Sequence, residues 1–223
     1  MSINYSIKQI YKPEMTEESG DEIMKTGFKL TMALKRGLDI LLSLMALTVF
    51  LIPGIIVAVC IWMEDKHNPI FSQERIGKGG KPFTLYKFRS MRIDAEADDK
   101  PQLYQDHDDR LTKIGTFLRD HHLDELPQFW NVLKGDMSFV GYRPERQYFI
   151  NKIMANDPRY ERLYAIRPGL FSEATLYNGY TDTMEKMLRR LEMDLDYLDN
   201  ISLGRDFKII YNTGMSIVTG KKF

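Results

Sequence analysis

The longest charge-free stretch of this 223-residue chain runs from Ile40 to Met63, and it limits the architecture more than any other feature. About 20 consecutive apolar residues suffice for a helix to cross a bilayer, so the run reads as a membrane segment. The plain alternative, a buried helix of a soluble protein, fits poorly because a run this long without charge is rare in such chains. Pro53-Gly54 lies just past its middle, where a missing N–H and a flexible residue favour a kink. A kinked helix either spans the bilayer or turns back to the side it entered from. Lys35 and Arg36 place the N-terminal flank at a cytoplasmic surface by the positive-inside tendency. The stretch before Lys35 is polar and broken by Pro13 and Gly20, and residues 1–34 are expected to be a variable extension. The apolar run comes too late and is too long for a cleavable secretory signal.

Charge narrows the partners. Lys and Arg total 31 and so do Asp and Glu, which leaves no overall field to attract nucleic acid. The single cysteine, Cys60, excludes an intrachain disulfide and a cysteine metal cage. His67, His107, His121 and His122 lack the His-Glu-x-x-His spacing and are assigned to no metal. Asp94, Glu96, Asp98 and Asp99 lack the glycine and spacing of a calcium loop, so they read as a solvated face of a loop over 93–110.

Two β-prone runs, Pro69 to Ile76 and Pro82 to Phe88, flank Gly77-Lys78-Gly79-Gly80 and predict a hairpin. Arg75, Lys78, Lys81, Lys87, Arg89 and Arg92 make it the one dense basic patch, suited to phosphate or to lipid headgroups. Further on, Asp124-Glu125 precede Pro127 and an apolar run, so Asp124 reads as an N-cap with Pro127 in the first helical turn. An acidic pair at a helix start is most simply a cap and a dipole partner. Met184, Met187, Leu188, Leu191, Leu195 and Leu198 recur at helical spacing, and Phe207, Ile210, Tyr211, Gly214, Ile217 and Val218 repeat the pattern. Such stripes are core-facing, although one could lie in a lipid interface.

Several separate stretches resemble one family. They are Lys35-Arg36 with Asp39, Tyr86 to Met91, Arg110 to Arg119, Leu123 to Gln128, Asn131 to Gly141, Arg143-Pro144-Glu145 and Arg167-Pro168-Gly169. Together they resemble the bacterial sugar transferases that initiate surface polysaccharides, the monotopic phosphoglycosyl transferases. The resemblance implies an α/β fold, mostly helical, with a small β-hairpin, interfacial amphipathic helices and one re-entrant membrane helix over 35–66. A catalytic domain over 67–223 would then sit on the cytoplasmic face of the bacterial inner membrane. The implied reaction moves a sugar phosphate from a nucleotide diphosphate sugar to undecaprenyl phosphate. Asp124 would be the nucleophile and Glu125 would hold magnesium. Lys87, Arg89, Arg119 and Arg143 would contact phosphate, with Arg167 on the nucleotide side. A carboxylate attacking a polyanionic diphosphate needs such cations to offset repulsion.

The chain departs from the family at two places. Family members have Ser-Pro at the helix break where this chain has Ile52-Pro53, and Ser172 to Gly179 replaces a Gly-Trp-Ala-Gln type sequence. A changed loop beside a site is where substrate choice changes. A catalytically silent membrane adaptor is the alternative from another class. A glycoside hydrolase fits badly, because adjacent carboxylates do not flank a glycosidic bond at the separation such enzymes need.

Overall fold

The computed structural model describes residues 20–95, 108–179 and 181–219. The chain is mostly helical. Helix α1 (Gly20–Val49) and helix α2 (Leu51–Asp65) meet at Phe50 with a bend of 59°. The bend falls upstream of Pro53-Gly54, and the proline explains why. Its ring opposes the carbonyl four residues earlier, that of Val49, where α1 ends, while its own missing N–H lies in the first turn of α2. No single described helix is long and apolar enough to cross a membrane, but the bent pair meets that requirement together. Leu41, Val49, Leu51, Ile52, Ile56 and Met63 are each more than half exposed, a larger apolar surface than water alone would leave uncovered. Helix α1 begins at Gly20, so part of the expected extension is helical, and residues 1–19 lie outside the described residues.

The polar residues at the start of the apolar run have a task in the fold that their sequence position does not show. Lys35 and Asp39 are buried, one turn apart on α1. Lys35 pairs with Asp206, Arg36 donates to the carbonyls of Val132 and Leu133 at 2.7 and 2.8 Å, and Asp39 accepts from Ser138 Oγ and Phe139 N at 3.0 and 2.9 Å. These contacts latch α1 onto three other parts of the domain. Lys35 and Arg36 are therefore docking residues, a role in the fold that is separate from the side of the membrane on which the flank is expected to lie. We expect Lys35→Ala to destabilise the fold by about 3 kcal/mol, because Asp206 would stay buried with only the Tyr197 hydroxyl at 2.6 Å. Chemical denaturation in detergent micelles would measure the loss, and an unchanged midpoint would refute the latch.

The hairpin forms as expected. Strands β1 (Ile70–Ile76) and β2 (Pro82–Phe88) pair antiparallel from Ile70↔Phe88 to Ile76↔Pro82. Gly79 and Gly80 in the connection have φ of 71° and 68°, conformations that favour glycine. Phe83, Leu85 and Lys87 alternate onto one face of β2. Leu85 enters the core, so Lys87 is carried inward beside it.

Helices α3 (Lys113–Asp120) and α4 (Gln128–Lys134) follow, then strand β3 (Ser138–Val140), helix α5 (Gln147–Asn156) and strand β4 (Gly169–Phe171). Strands β3 and β4 form a short parallel pair that periodicity did not predict. Helix α6 (Glu173–Asn178), helix α7 (Met184–Asp199) and helix α8 (Leu203–Val218) complete the chain. Ser172, Thr183 and Ser202 cap these three by accepting from backbone N–H groups. The α7 stripe buries Met187, Leu191 and Leu195 as expected. The α8 stripe does not. Asp206, Ile209 and Thr213 face inward, while Phe207 is 72% and Tyr211 58% exposed, because the Lys35–Asp206 pair turns that face toward α1.

Candidate active site

Asp124 and Glu125 lie in a 3₁₀ turn (Leu123–Glu125) between α3 and α4. Asp124 is not the helix cap that its position predicts. Helix α4 starts after Pro127 with no side-chain cap, and the acidic turn precedes it. His122 sits in the left-handed region, with φ 53° and ψ 22°, which reverses the chain from α3 into the turn. Leu123 and Leu126 pack against Ile61, Phe88 and Leu118, so the apolar flanks of the acidic pair are pinned beside α2.

Both carboxylates line a cavity of about 390 Å³. Lys87 Nζ lies 2.7 Å from Glu125 Oε1 and 4.0 Å from Asp124 Oδ2, and Arg143 donates to the same Glu125 oxygen at 3.3 Å. Asp124 is only 4% exposed, and among the described residues its carboxylate has that 4.0 Å ion pair and no hydrogen bond. The two acids are consequently driven apart. Burial pushes the Asp124 carboxyl above the usual aspartate range, opposed by Lys87 and reinforced by the charge of Glu125. Burial would also raise Glu125, but Lys87 and then Arg143 hold it well below the ordinary glutamate value. Glu125 is thus the permanent anion of the pair. Asp124 is the less solvated and more basic of the two carboxylates.

Arg119, in the last turn of α3, and Arg143, just past β3, both line the cavity. Arg143 is set by its neighbours. Glu145 is buried between Arg75 Nη1 at 3.2 Å and Arg190 Nη2 at 2.6 Å, and Arg75 also donates to the Pro144 carbonyl at 3.0 Å. Two of the residues expected at the site, Arg89 for phosphate and Arg167 for the nucleotide side, lie elsewhere. Arg89 forms a bidentate pair with Asp65 and donates from Nε to the Asn68 carbonyl at 2.9 Å, joining the end of α2 to the hairpin. Arg167 donates from Nε to the Gly135 carbonyl at 2.8 Å, close to where Arg36 binds the last carbonyls of α4. Neither lines the cavity.

The far wall was only partly legible. It carries Phe50 from the helix break, Leu170 and Phe171 from β4, Thr175 and Leu176 from α6, and Ile217 from α8. The divergent segment from Ser172 signals this wall in sequence, whereas Phe50 sits in a run that reads as lipid-facing. Arg190 reads as the polar face of α7, and only its pairing with Glu145 brings it inward.

Among the described residues, no group of three or more His, Cys, Asp or Glu could hold a metal by itself. The donor set nevertheless fits a magnesium ion completed by substrate. Lys87 and Arg143 both contact Glu125 Oε1, Glu125 lines the cavity, and magnesium typically takes one or two carboxylates plus phosphate oxygens and waters. Glu96, Asp98, Asp99 and His107 lie outside the described residues.

Residues 30–220 match the family described as bacterial sugar transferase. The chain is 39% identical over 187 residues to the UDP-N-acetylgalactosamine-undecaprenyl-phosphate N-acetylgalactosaminephosphotransferase of Aeromonas hydrophila, a match covering 84% of this chain and 44% of that protein. It is 38% identical over 187 residues to the UDP-glucose:undecaprenyl-phosphate glucose-1-phosphate transferase of Caulobacter vibrioides, covering 83% of this chain and 70% of the relative. A putative undecaprenyl-phosphate N-acetylgalactosaminyl 1-phosphate transferase of Bacillus subtilis is 41% identical over 158 residues, covering 71% and 83%. The chain therefore spans less than half of the first of these relatives.

Proposed function

The chain belongs to the bacterial sugar transferase family, and from that premise we propose that it moves a sugar 1-phosphate from a UDP-sugar to undecaprenyl phosphate at the cytoplasmic face of the inner membrane. The observation that carries this reading is the divided acid pair. Asp124 is buried, lacks a hydrogen bond among the described residues and is raised in basicity, while Glu125 absorbs the contacts of Lys87 and Arg143.

In the first half-reaction an Asp124 carboxylate oxygen attacks the phosphorus that carries the sugar. A phosphorus–oxygen bond forms to Asp124, and the bond to the bridging diphosphate oxygen breaks with its electron pair leaving on UMP. In the second, a phosphate oxygen of undecaprenyl phosphate attacks the same phosphorus and Asp124 departs as a free carboxylate. Lys87, Arg119 and Arg143 face the diphosphate and offset its repulsion of the nucleophile. Glu125 would hold magnesium, which when bound would supply charge neutralisation for the diphosphate. The apolar bent pair α1–α2 inserts into one leaflet as a re-entrant hairpin, and because Phe50 at its break also lines the cavity, the site is continuous with the inserted segment. The silent-adaptor reading leaves the buried cation–carboxylate cluster without a purpose.

The test uses the full chain in detergent micelles with UDP-sugars and no acceptor. UMP is expected in an amount comparable to enzyme, followed by continuous release once undecaprenyl phosphate is added, with both phases lost in EDTA and restored by magnesium. A strict requirement for acceptor before any UMP appears would sink the covalent route. Turnover that persists in EDTA would remove the metal.

A further inference from the structure

Ser172 and Asp194 meet in the interior, and the proposed half-reactions use neither. Asp194, on α7, is 4% exposed, and Ser172, between β4 and α6, is 3% exposed. The Ser172 hydroxyl donates to Asp194 Oδ1 at 3.0 Å and accepts from Ala174 N at 3.1 Å, so one oxygen both reaches α7 and caps α6. Helix α6 has six residues, too few to hold its own place, and depends on such tethers. Two further tethers, Asn178 Nδ2 to the Lys186 carbonyl at 2.8 Å and Arg205 to Glu173 at 2.6 Å, are only partly buried. Phe171, Ser172 and Leu176 line the cavity, so what fixes Ser172 fixes that wall. Ser172 also opens the segment in which this chain departs from the family pattern, at a position where that pattern has a glycine and no hydroxyl.

We infer that Asp194 is a positioning residue for donor binding: acting through Ser172, it holds the wall from Phe171 to Leu176 against the donor, and holds it best while ionised. The inference rests on the transferase reading above and deepens it, since the sugar is bonded to the phosphorus that Asp124 attacks and so lies in the same cavity. A carboxylate accepts a stronger hydrogen bond than a neutral acid does. The charged and titratable groups that act on Asp194 are Arg190 on its own helix and Tyr142, Arg143 and Glu145 from the segment after β3. Burial pushes its carboxyl up to about 7, against Arg190 and the Ser172 hydroxyl, so the tether changes strength near neutral pH. Stability runs the other way. The folded value lies above the unfolded one, so ionising Asp194 costs stability, and the cost grows as pH rises toward about 7.

The experiment follows the acceptor-free UMP burst of the full chain in micelles against the concentration of UDP-glucose and of UDP-N-acetylgalactosamine, with thermal midpoints measured alongside. For a donor that the parent uses, Asp194→Asn and Ser172→Ala should each raise the half-saturating concentration about three- to tenfold and leave the burst rate at saturation within about twofold. The double variant should be no worse than Ser172→Ala, because both changes act on one bond. The Asp194→Asn midpoint should stay or rise. In the parent the half-saturating concentration should climb from about pH 8 to about pH 6, and Asp194→Asn should lose that climb. A midpoint that falls in step with donor affinity makes Asp194 a purely structural residue and overturns the inference. Unchanged half-saturation in both single variants, or effects that add in the double variant, also overturn it and leave the transferase reading standing. A parent that releases no UMP from any UDP-sugar defeats the transferase reading, and this inference falls with it.

Discussion

Asp124→Asn is expected to lower UMP release on the order of 10⁴-fold or more, both with acceptor and in the acceptor-free burst. The amide is nearly isosteric but cannot form an acyl phosphate, so no partial reaction should survive. The same substitution should leave the fold at least as stable. Burial holds the folded-state pKa of Asp124 above its unfolded value, so at neutral pH the ionised carboxylate disfavours the folded state, and a neutral side chain removes that cost. Intact-mass measurement after quenching with labelled donor should find a phosphosugar adduct on the parent protein and none on the variant. A thermal midpoint that falls together with activity would mean the loss is structural. The raised pKa also sets the sign of the pH dependence. In the proposed mechanism only the ionised carboxylate attacks, so the acid limb of kcat/KM should lie at higher pH than an ordinary aspartate would give.

Gly169→Ala is expected to cost more than about 4 kcal/mol and to disable the site with the fold. A Cβ at this position would stand 2.0 Å from Gly141 N and 2.6 Å from Gly141 Cα, and both are backbone atoms that cannot swing aside. The two glycines let β3 and β4 cross closely enough for Gly169 N to donate to the Tyr142 carbonyl at 2.8 Å and Gly141 N to the Phe171 carbonyl at 3.0 Å. That crossing delivers Arg143 to one side of the cavity and Leu170 and Phe171 to the other. Separating the strands would therefore move the cavity-lining Arg143 and the far wall together. Denaturant titration should report the stability, and a mild effect would show that the parallel pair is more compliant than its contacts imply. The Arg-Pro-Gly turn is visible in the sequence at Arg167 to Gly169, but the reason its glycine cannot be replaced lies in the strand it crosses.

The apolar run, the glycine-rich hairpin and the amphipathic stripe of α7 were all determined by the sequence alone, because each depends on residues within a few positions of one another. The break near Pro53 belongs with them, displaced upstream to Phe50 by the reach of the proline ring to the preceding turn. Asp124-Glu125, Lys87, Arg119 and Arg143 were recognisable as a set through their motifs, and the fold brings all five to one cavity. What the tertiary structure decided was the partner of each charge. Lys35 finds Asp206 across 171 positions, and Arg190 finds Glu145. Arg89 and Arg167 carry the same charge as Arg143 in the same kind of motif, yet Asp65 and the carbonyl of Gly135 claim them. The different fates of the two acids, one basic and unbonded, the other pinned as an anion, likewise come from which side of the turn meets Lys87. Local pattern governs backbone periodicity through short-range sterics and burial. Charge pairing and desolvation depend on which distant surfaces close over a side chain, and those exist only once the chain has folded.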